Sequence, residues 1–304
     1  DLSMLERLLH VDESQAVGLA RYLLGVSPHL ARALRSRALR WNQRKWSSAD
    51  GFVEPSELGK SALAPHMLSQ RSYSPTALQN FASCPYKFFL QAIWRLTPHE
   101  PPEAIEDLDA LQRGSLVHEA QFRLLLRLRE KGLLPFKPGT EEEVGGELDR
   151  ALDDVAKRFK EELAPTIERV WLDGIAGIRA DLREWLRRLR ADMQYEPAYF
   201  ELSFGLAHAG DRDPRSQDEP VELPSGLRVR GSIDLVERRK DGVLRATDHK
   251  TGKVRAEKGS VVSGGEILQP VLYALVLEKM LGATVEGGRL SYCTQAGAYE
   301  MRDI

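Results

Sequence analysis

The segment GSIDLVERRKDGVLRATDHK, residues 231–250, predicts two antiparallel strands joined by a tight turn. Polar and apolar side chains alternate on both sides of the KDG tripeptide, whose glycine suits the left-handed position of a three-residue hairpin loop. This turn sets a register in which Asp234 lies opposite Asp248 and Ser232 lies opposite Lys250. Because side chains alternate with a period of two, all four leave one face of the sheet. The hairpin therefore predicts two acids and a lysine in one place.

Two carboxylates in this arrangement need a positive partner. Directly opposed residues have Cβ atoms about 4.5–5.5 Å apart, so Asp234 and Asp248 repel each other and each raises the pKa of the other. A divalent cation between them removes the repulsion, and open oxygen ligands suit Mg²⁺ or Mn²⁺. Lys250 would then stabilise charge that develops on a phosphate or orient a water. The alternative is an exposed hairpin whose acids pair with neighbouring Lys and Arg side chains.

The order of the predicted elements indicates a mixed α/β core. Residues 1–46 have helical spacing interrupted at Pro28, and residues 47–72 are rich in Ser, Gly and Pro and predict a linker. Helical segments dominate from there to about residue 195. The β-type segments AYFELSF, GLRVRGSIDLVER and GVLRATDHK follow, then the helix EILQPVLYALVLEKMLG and a last strand, GGRLSYCT. We expect a mixed central sheet flanked by helices, with a large helical insertion before the core strands.

Charge is distributed unevenly along the chain of 304 residues, although its formal net charge is only −2. Residues 14–49 contain no acidic side chain and seven basic ones. Such a run is typical of a phosphate-binding surface, with Arg35, Arg37 and Arg40 as candidate DNA contacts. The alternative is a solvated helix face that meets another domain. Lys253, Arg255 and Lys258, in the loop after the hairpin, are further candidates for phosphate contacts.

Several classes of protein are disfavoured. No apolar run approaches the roughly 20 residues of a membrane span. The SELGKSA segment lacks the first glycine of a phosphate-binding loop, since Glu54 stands there, so we expect no ATPase motor. Two cysteines, Cys84 and Cys293, form no disulfide framework and favour a reducing, cytoplasmic location.

The chain opens on Asp1, so we expect a fragment of a longer protein.

Six stretches resemble a known nuclease family. Gly231-Ser232-Ile233-Asp234 and Asp248-His249-Lys250 resemble the signature of PD-(D/E)XK nucleases. Four further stretches resemble, in order, the RecB-like branch that includes the nuclease domain of AddB-type helicase–nucleases. They match its opening helix with a Cys-Pro pair, its G-x-x-x-H helix, its glutamate-bearing strand and its Gln-and-Tyr helix: YSPTALQNFASCPYKFFL, RGSLVHEA, FELSF and LQPVLYALVL. The resemblance covers residues 70–295.

The resemblance implies roles for individual residues. His118 would be a metal ligand from outside the sheet, and the backbone carbonyl of His249 a further one, beside Asp234 and Asp248. Gln269 and Tyr273 share a helix face, and would hold the nucleic acid or a metal-bound water. Glu201 would be an acid near the metal. Each role has an alternative. His118 could be an ordinary surface or core histidine, and Gln269 and Tyr273 could be a polar pair against the core. Glu201 could be a strand acid that faces solvent.

An iron–sulfur cluster is a feature of many AddB-type nucleases, in which a cysteine at the Cys-Pro position joins three more near the C-terminus. Cys84 occupies that position here, but Cys293 is the only other cysteine in these 304 residues. Four thiolates cannot be assembled from two. We therefore expect no cluster in this chain.

The sequence thus leads to one expected function and one rival. The expected protein has a restriction-endonuclease-like fold, with residues 1–70 as a helical segment and linker left from a preceding domain and residues 71–304 as the nuclease domain. It would be a Mg²⁺- or Mn²⁺-dependent deoxyribonuclease, an exonuclease of DNA repair or recombination. Its substrate would be single-stranded DNA or a DNA end, and its partner would be a helicase domain or subunit. The rival is a catalytically silent DNA-binding or scaffolding module of a helicase–nuclease complex. An intact set of Asp234, Asp248, Lys250 and Gln269 argues against the rival.

Overall fold

The computed structural model describes residue 10 and residues 12–41, 54–97, 105–207 and 212–304. Contacts divide the chain into two compact units, Asp1–Pro65 and His66–Ile304. The first unit contains α1 (Glu13–Val26), α2 (Pro28–Trp41) and α3 (Glu57–Leu63). Pro28 begins α2, so the predicted division into two helices is confirmed. Within the predicted linker, residues 47–72, the structure contains the helix α3, which Ser56 caps by accepting a hydrogen bond from the Gly59 N–H.

The second unit opens with short helices that flank the sheet. Ser74 caps α4 (Pro75–Ser83), with Pro75 at its first position. Pro85 ends that helix and begins α5 (Pro85–Phe88), which continues into a π-helical turn, Phe89–Ile93. Tyr73 and Phe88 are both buried and their rings lie 5.1 Å apart. This contact fixes the two short helices against the sheet.

The helical insertion consists of three long helices: α6 (Ala110–Glu130), α7 (Glu141–Leu163) and α8 (Glu168–Ala191). A capping box between Asp109 and Gln112 starts α6. Leucines on the inner face of α6 are completely buried against α7 and α8, together with Ile178 and Trp185 of α8. One apolar cluster therefore joins the insertion to the sheet, which contributes Phe200 and Leu235 to it.

The strands of the described residues are β1 Tyr195–Phe204, β2 Val221–Glu222, β3 Arg228–Val229, β4 Gly231–Arg239, β5 Leu244–Lys250, β6 Val285–Tyr292 and β7 Met301–Asp303. Five of them form the central sheet in the order β1-β4-β5-β6-β7, and β2 pairs with β3 in a separate two-stranded sheet. Neighbouring strands of the central sheet are antiparallel except β5 and β6, which are parallel. The prediction that the GGRLSYCT strand is the last was wrong, because β7 adds an edge strand of three residues. The expected mixed sheet flanked by helices is confirmed.

The β4–β5 hairpin has the predicted register. Leu235 pairs with Thr247 and Val236 with Ala246, and Gly242 has a φ of 91° in the turn. Continuing these pairs by one residue places Asp234 opposite Asp248. The turn chemistry of the KDG tripeptide therefore determines which residues of the two strands meet.

The last helix, α9 (Gln269–Leu281), crosses over β5 and β6. A glycine in β6 permits its close approach, because a Cβ at Gly288 would lie 2.2 Å from the carbonyl oxygen of Pro270. Val276 and Leu277 on α9 are fully buried against the sheet. The approach brings the first turn of α9 over the end of β5, where Asp248 and Lys250 lie.

Candidate active site

Three acids form a row across neighbouring strands. Glu201 of β1 falls between the pairs Phe200–Leu235 and Leu202–Ile233, which places it opposite Asp234 of β4. Asp234 is in turn opposite Asp248 of β5. The register of three strands thus aligns three carboxylates.

Glu201 has an unusual backbone. Its φ of 49° lies in the left-handed region, where residues other than glycine are uncommon. Such strain persists when the surrounding structure holds it, and it concentrates at functional sites. Ser232 donates a hydrogen bond from Oγ to Glu201 Oε2 at 2.8 Å, which keeps the carboxylate in the row of acids.

His118 of α6 reaches the same row from outside the sheet. Its Nδ1 lies 3.4 Å from Asp234 Oδ2. Burial by itself lowers the pKa of His118, but the charge of Asp234 and their hydrogen bond outweigh it and raise that pKa to about 9. Burial raises the pKa of Asp234, but the charge and the hydrogen bond of His118 have a larger effect in the opposite direction. The pKa of Asp234 therefore lies below its ordinary value.

The donor atoms fit a divalent cation. One ligand atom each from His118, Glu201 and Asp234 lies within 4.8 Å of the others. Burial and the repulsion between its carboxylate and that of Asp234 raise the pKa of Glu201 to about 7. One imidazole nitrogen with carboxylate oxygens suits Mn²⁺ and, less strongly, Mg²⁺. Glu201, for which the sequence left open a role as an ordinary strand acid, therefore lies among the best-placed donors.

Asp248 lies beside this group and is held by two side chains. Lys250 Nζ lies 2.7 Å from Asp248 Oδ2, and Gln269 Nε2 donates to Asp248 Oδ1 at 2.8 Å. Lys250 Nζ also donates to Gln269 Oε1 at 2.6 Å, so the three side chains form a closed ring of contacts. Burial and the charge of Asp234 raise the pKa of Asp248, and Lys250 only partly offsets this. A cation shared with Asp234 would relieve the repulsion.

His249 turns its ring toward α8, and the centroid of this ring lies 6.2 Å from the centroid of the His118 ring. The ring is buried, and Trp185 of α8 donates from Nε1 to its Nε2 at 3.3 Å. Burial lowers the pKa of His249 to about 4, so the ring is neutral. The backbone N–H of His249 donates to Asp234 Oδ2 at 2.7 Å. The ligand role expected for its carbonyl stays a prediction.

Tyr273 lies one turn after Gln269 on α9 and is buried. Its ring contacts Phe204 edge-on with 6.2 Å between ring centroids. Burial, followed by the charges of Asp248 and Asp234, raises the pKa of the Tyr273 hydroxyl well above its ordinary value. The hydroxyl therefore stays protonated near the acids, where it can act as a hydrogen-bond donor.

A pocket of about 540 Å³ opens on the Lys250 side of the acids. Lys250 and Gln269 line it together with Lys253 and Arg255, while Ile267, Pro270, Leu290 and Tyr292 supply apolar surface. The structure thus brings two of the three predicted phosphate-binding side chains to the site. Lys258, the third, is exposed and is not among the residues that line this pocket.

The remaining sequence candidates lie elsewhere in the chain. Arg35 and Arg37 are exposed on α2 in the first unit, and the side chain of Arg40 is outside the described residues. Cys84 is exposed, and its Sγ accepts a hydrogen bond from the Lys87 N–H at 3.5 Å. Cys293 is buried, which raises the pKa of its thiol to about 12. The predicted roles of the arginines stay predictions.

Sequence reasoning missed Trp185 and Ser232 as partners of site residues. Trp185 lies 64 positions before His249, on a helix whose apolar spacing predicts only burial. The hairpin register placed Ser232 on the active face, opposite Lys250, and gave no hydrogen-bond partner for it. The register itself was the signal that could have found it, since Ser203 of β1 pairs with Ser232 and Glu201 is two residues away.

Comparisons with known proteins agree with this geometry. A search of curated proteins found no match. Among the described helices, none combines the length and apolar character that a bilayer crossing requires. The family model of the PD-(D/E)XK nuclease superfamily matches residues 72–301, which include strands β1 to β6, the helical insertion and every donor of the candidate metal site. The mixed five-stranded sheet and its flanking helices are those of a restriction-endonuclease-like fold. The chain therefore belongs to the PD-(D/E)XK nuclease superfamily.

Proposed function

We propose that this protein is a metal-dependent deoxyribonuclease of the RecB-like branch, in which His118, Glu201, Asp234 and Asp248 hold Mg²⁺ or Mn²⁺. The observation that carries the proposal is the convergence of the His118, Glu201 and Asp234 donor atoms within 4.8 Å, next to the Asp248–Lys250–Gln269 ring. A bound cation of this kind lowers the pKa of water and neutralises phosphate charge. Hydrolysis forms a bond from water oxygen to phosphorus and breaks the bond to the leaving sugar oxygen.

Lys250 is the residue that we assign to the developing charge. Its side chain is about one-third exposed, and its ammonium group is held by Asp248 on one side and Gln269 on the other. A positive group that is already oriented costs no reorganisation when negative charge grows on the phosphate oxygens. Gln269 positions both Lys250 and Asp248, and the protonated Tyr273 hydroxyl is a further hydrogen-bond donor available near the acids.

We further propose that the enzyme is an exonuclease that acts with a helicase domain or subunit in repair or recombination. The support is the ordered set of RecB-like stretches, of which RGSLVHEA contributes His118 and LQPVLYALVL contributes Gln269 and Tyr273. Lys253, Arg255 and Lys258, with Arg35, Arg37 and Arg40, would contact backbone phosphates.

The test is digestion of end-labelled single- and double-stranded DNA with Mg²⁺ or Mn²⁺, with closed circular single-stranded DNA as a matched substrate. Release of labelled nucleotides from linear DNA with circular DNA intact supports an exonuclease, and cutting of both supports an endonuclease. Binding of DNA without metal-dependent cleavage of any substrate would instead favour the silent-module alternative. Asp234→Asn serves as the matched inactive protein and excludes a contaminating nuclease.

A further inference from the structure

A second pocket lies beside the first and is lined by three arginines. Arg71, Arg95 and Arg230 surround a cavity of about 270 Å³, and no carboxylate is among the residues that line it. Within the described part of the chain, neither Arg95 nor Arg230 forms an ion pair. Three guanidinium groups around one cavity repel each other, so the pocket is electrostatically suited to an anion.

The third arginine, Arg71, is held in place by two neighbouring side chains, His66 and Tyr73. Arg71 Nη1 lies 2.7 Å from His66 Nδ1, and its guanidinium group lies 5.2 Å from the centre of the Tyr73 ring. Since arginine has no acceptor atom, His66 Nδ1 must be the acceptor in that contact. Neither partner is an acid, so neither cancels the charge that Arg71 presents.

Neutral donors complete the lining. Thr76, Asn80 and Gln91 contribute a hydroxyl and two amides to the cavity. Asn80 donates from Nδ2 to Gln91 Oε1 at 3.0 Å, which orients the NH₂ group of Gln91 as a donor. Arginine forks with amide and hydroxyl donors are the groups that bind phosphate oxygens most effectively.

Thr76 connects this pocket to the candidate active site, because it lines both cavities. Arg230 gives a second connection, since it precedes Asp234 by four residues and its backbone N–H donates to Tyr73 O at 3.1 Å. Neighbouring phosphates of one DNA strand are several ångströms apart, so a strand whose phosphate lies near Lys250 can reach the arginine pocket across Thr76.

We propose that the pocket of Arg71, Arg95 and Arg230 binds a phosphate group of the nucleic-acid strand, next to the phosphate that is cleaved. The proposal rests on the proposed nuclease function for the identity of its ligand. The shared chemistry is a phosphate monoester or diester, which an internal linkage or a strand end can supply. Bound there, the strand is fixed in register with Lys250.

The experiment measures binding of a fluorescent single-stranded oligonucleotide without divalent metal, so that cleavage does not enter. The variants are Arg95→Gln and Arg230→Gln. The control is Arg169→Gln, an exposed arginine on α8 that removes the same charge away from both pockets. Loss of one phosphate contact reduces the slope of log affinity against log salt by about 0.7. We expect that reduction in both pocket variants and little change in the control.

Oligonucleotides with one neutral methylphosphonate linkage, moved along the strand, locate the phosphate. When the methylphosphonate occupies the linkage that binds in the pocket, the wild type should lose affinity. Arg230→Gln should lose no further affinity at that linkage, because its contact with the phosphate is already absent. Oligonucleotides with a 5′-phosphate, a 3′-phosphate or no terminal phosphate form the second arm. Coupling means that a change in the oligonucleotide alters the affinity of the wild type but not that of Arg230→Gln. Coupling to a terminal phosphate identifies a pocket that binds a strand end, and coupling to a methylphosphonate identifies a pocket that binds an internal phosphate.

Three results separate the possible failures. Arg230→Lys should restore part of the affinity, and thermal melting checks that each variant is folded. Absence of coupling at every linkage and terminus, with salt slopes equal to that of Arg169→Gln, would overturn the phosphate pocket even if the wild type cleaves DNA. Coupling in a protein that cleaves no DNA would support the phosphate pocket and contradict the proposed nuclease activity.

Discussion

Asp234 Oδ2 accepts a hydrogen bond from the backbone N–H of His249 at 2.7 Å, so the central acid of the site is held by the main chain of the neighbouring strand. A main-chain donor cannot change its rotamer or its charge. The position of Asp234 is therefore as fixed as the sheet itself. His118 and Glu201, which come from a helix and a strained strand, complete the site around this fixed carboxylate.

Replacement of Lys250 should affect rate more than binding. Lys250→Ala removes a charge that acts on the transition state, so we expect cleavage at saturating DNA to fall by about 10²–10³-fold with DNA affinity nearly unchanged. Lys253→Ala is the matched variant from the same pocket. It should weaken DNA binding and recover most of its rate at saturating DNA. Single-turnover cleavage over a range of DNA concentrations measures both, and near-wild-type cleavage by Lys250→Ala would exclude it from the catalytic set.

Removal of a donor should lower Mn²⁺ affinity. Substitutions in groups that only support metal ligands cost about 10–100-fold, so His118→Ala and Glu201→Gln should each cost at least tenfold. Electron paramagnetic resonance of free Mn²⁺ measures the affinity directly. Glu119→Gln is the control, because Glu119 adjoins His118 but pairs with Arg123 and Arg158. Equal affinities in Glu201→Gln and wild type would remove Glu201 from the donors.

Metal should also stabilise the folded chain. A ligand that binds only the folded state at 100 times its Kd contributes about 2.7 kcal/mol to the free energy of unfolding. We therefore expect Mn²⁺ to raise the Tm of the wild type measured by calorimetry, and Asp234→Asn to show a much smaller rise. The same rise in both proteins would mean that Mn²⁺ stabilises the chain at another place.

Stability should depend on the charge of Glu147 in α7. This side chain is completely buried and contacts Lys131 and Arg150. Burial raises the pKa of Glu147, but the hydrogen bonds from Lys131 and Arg150 outweigh it and leave that pKa below its ordinary value of 4.5. The stabilisation is therefore complete above pH 4.5 and is lost as the pH falls through the lower folded-state pKa.

Glu147→Gln should lower the free energy of unfolding at neutral pH by about 1–3 kcal/mol, because the hydrogen bonds from the exposed Lys131 and Arg150 to a buried carboxylate lose their charged acceptor. Denaturant unfolding between neutral and acid pH measures this loss. The difference from wild type should shrink as the pH decreases. Glu142→Gln, an exposed substitution on the same helix, should change little at any pH. A difference that grows toward acid pH would contradict the assigned direction of the pKa.

The cysteines lead to a spectroscopic prediction. A protein of these 304 residues has only two cysteines, one of them buried, so we expect the purified chain to lack iron–sulfur absorbance. Iron and sulfide analysis measures this directly. Stoichiometric amounts of both in the purified chain would show that our interpretation of Cys84 is wrong.

The sequence predicts best where local chemistry determines long-range pairing. The KDG turn fixed the register of Asp234 and Asp248, because a three-residue loop leaves one alignment of the two strands. The participation of Glu201 could not be settled in the same way. Its placement depends on a left-handed residue within a strand, which alternation does not reveal.

Contacts between distant segments were not predictable from spacing. The hydrogen bond from Trp185 to His249 and the convergence of Arg71, Arg95 and Arg230 join parts of the chain that the sequence does not order in space. The three-residue strand β7 is too short to show alternation, and α3 lies in a segment whose composition predicts a linker. Each of these depends on tertiary packing, which outweighs local propensity.

The three-helix insertion has a consequence for protein engineering. His118 is on its first helix and Trp185 on its last, so both ends of residues 110–191 reach the catalytic strands. An abbreviated nuclease made by deleting this segment would lose the proposed metal donor His118 and the partner of His249 in one step. The segment that looks like an addition to the fold thus supplies a side chain of the candidate metal site, and we expect the smallest working version of this protein to retain it.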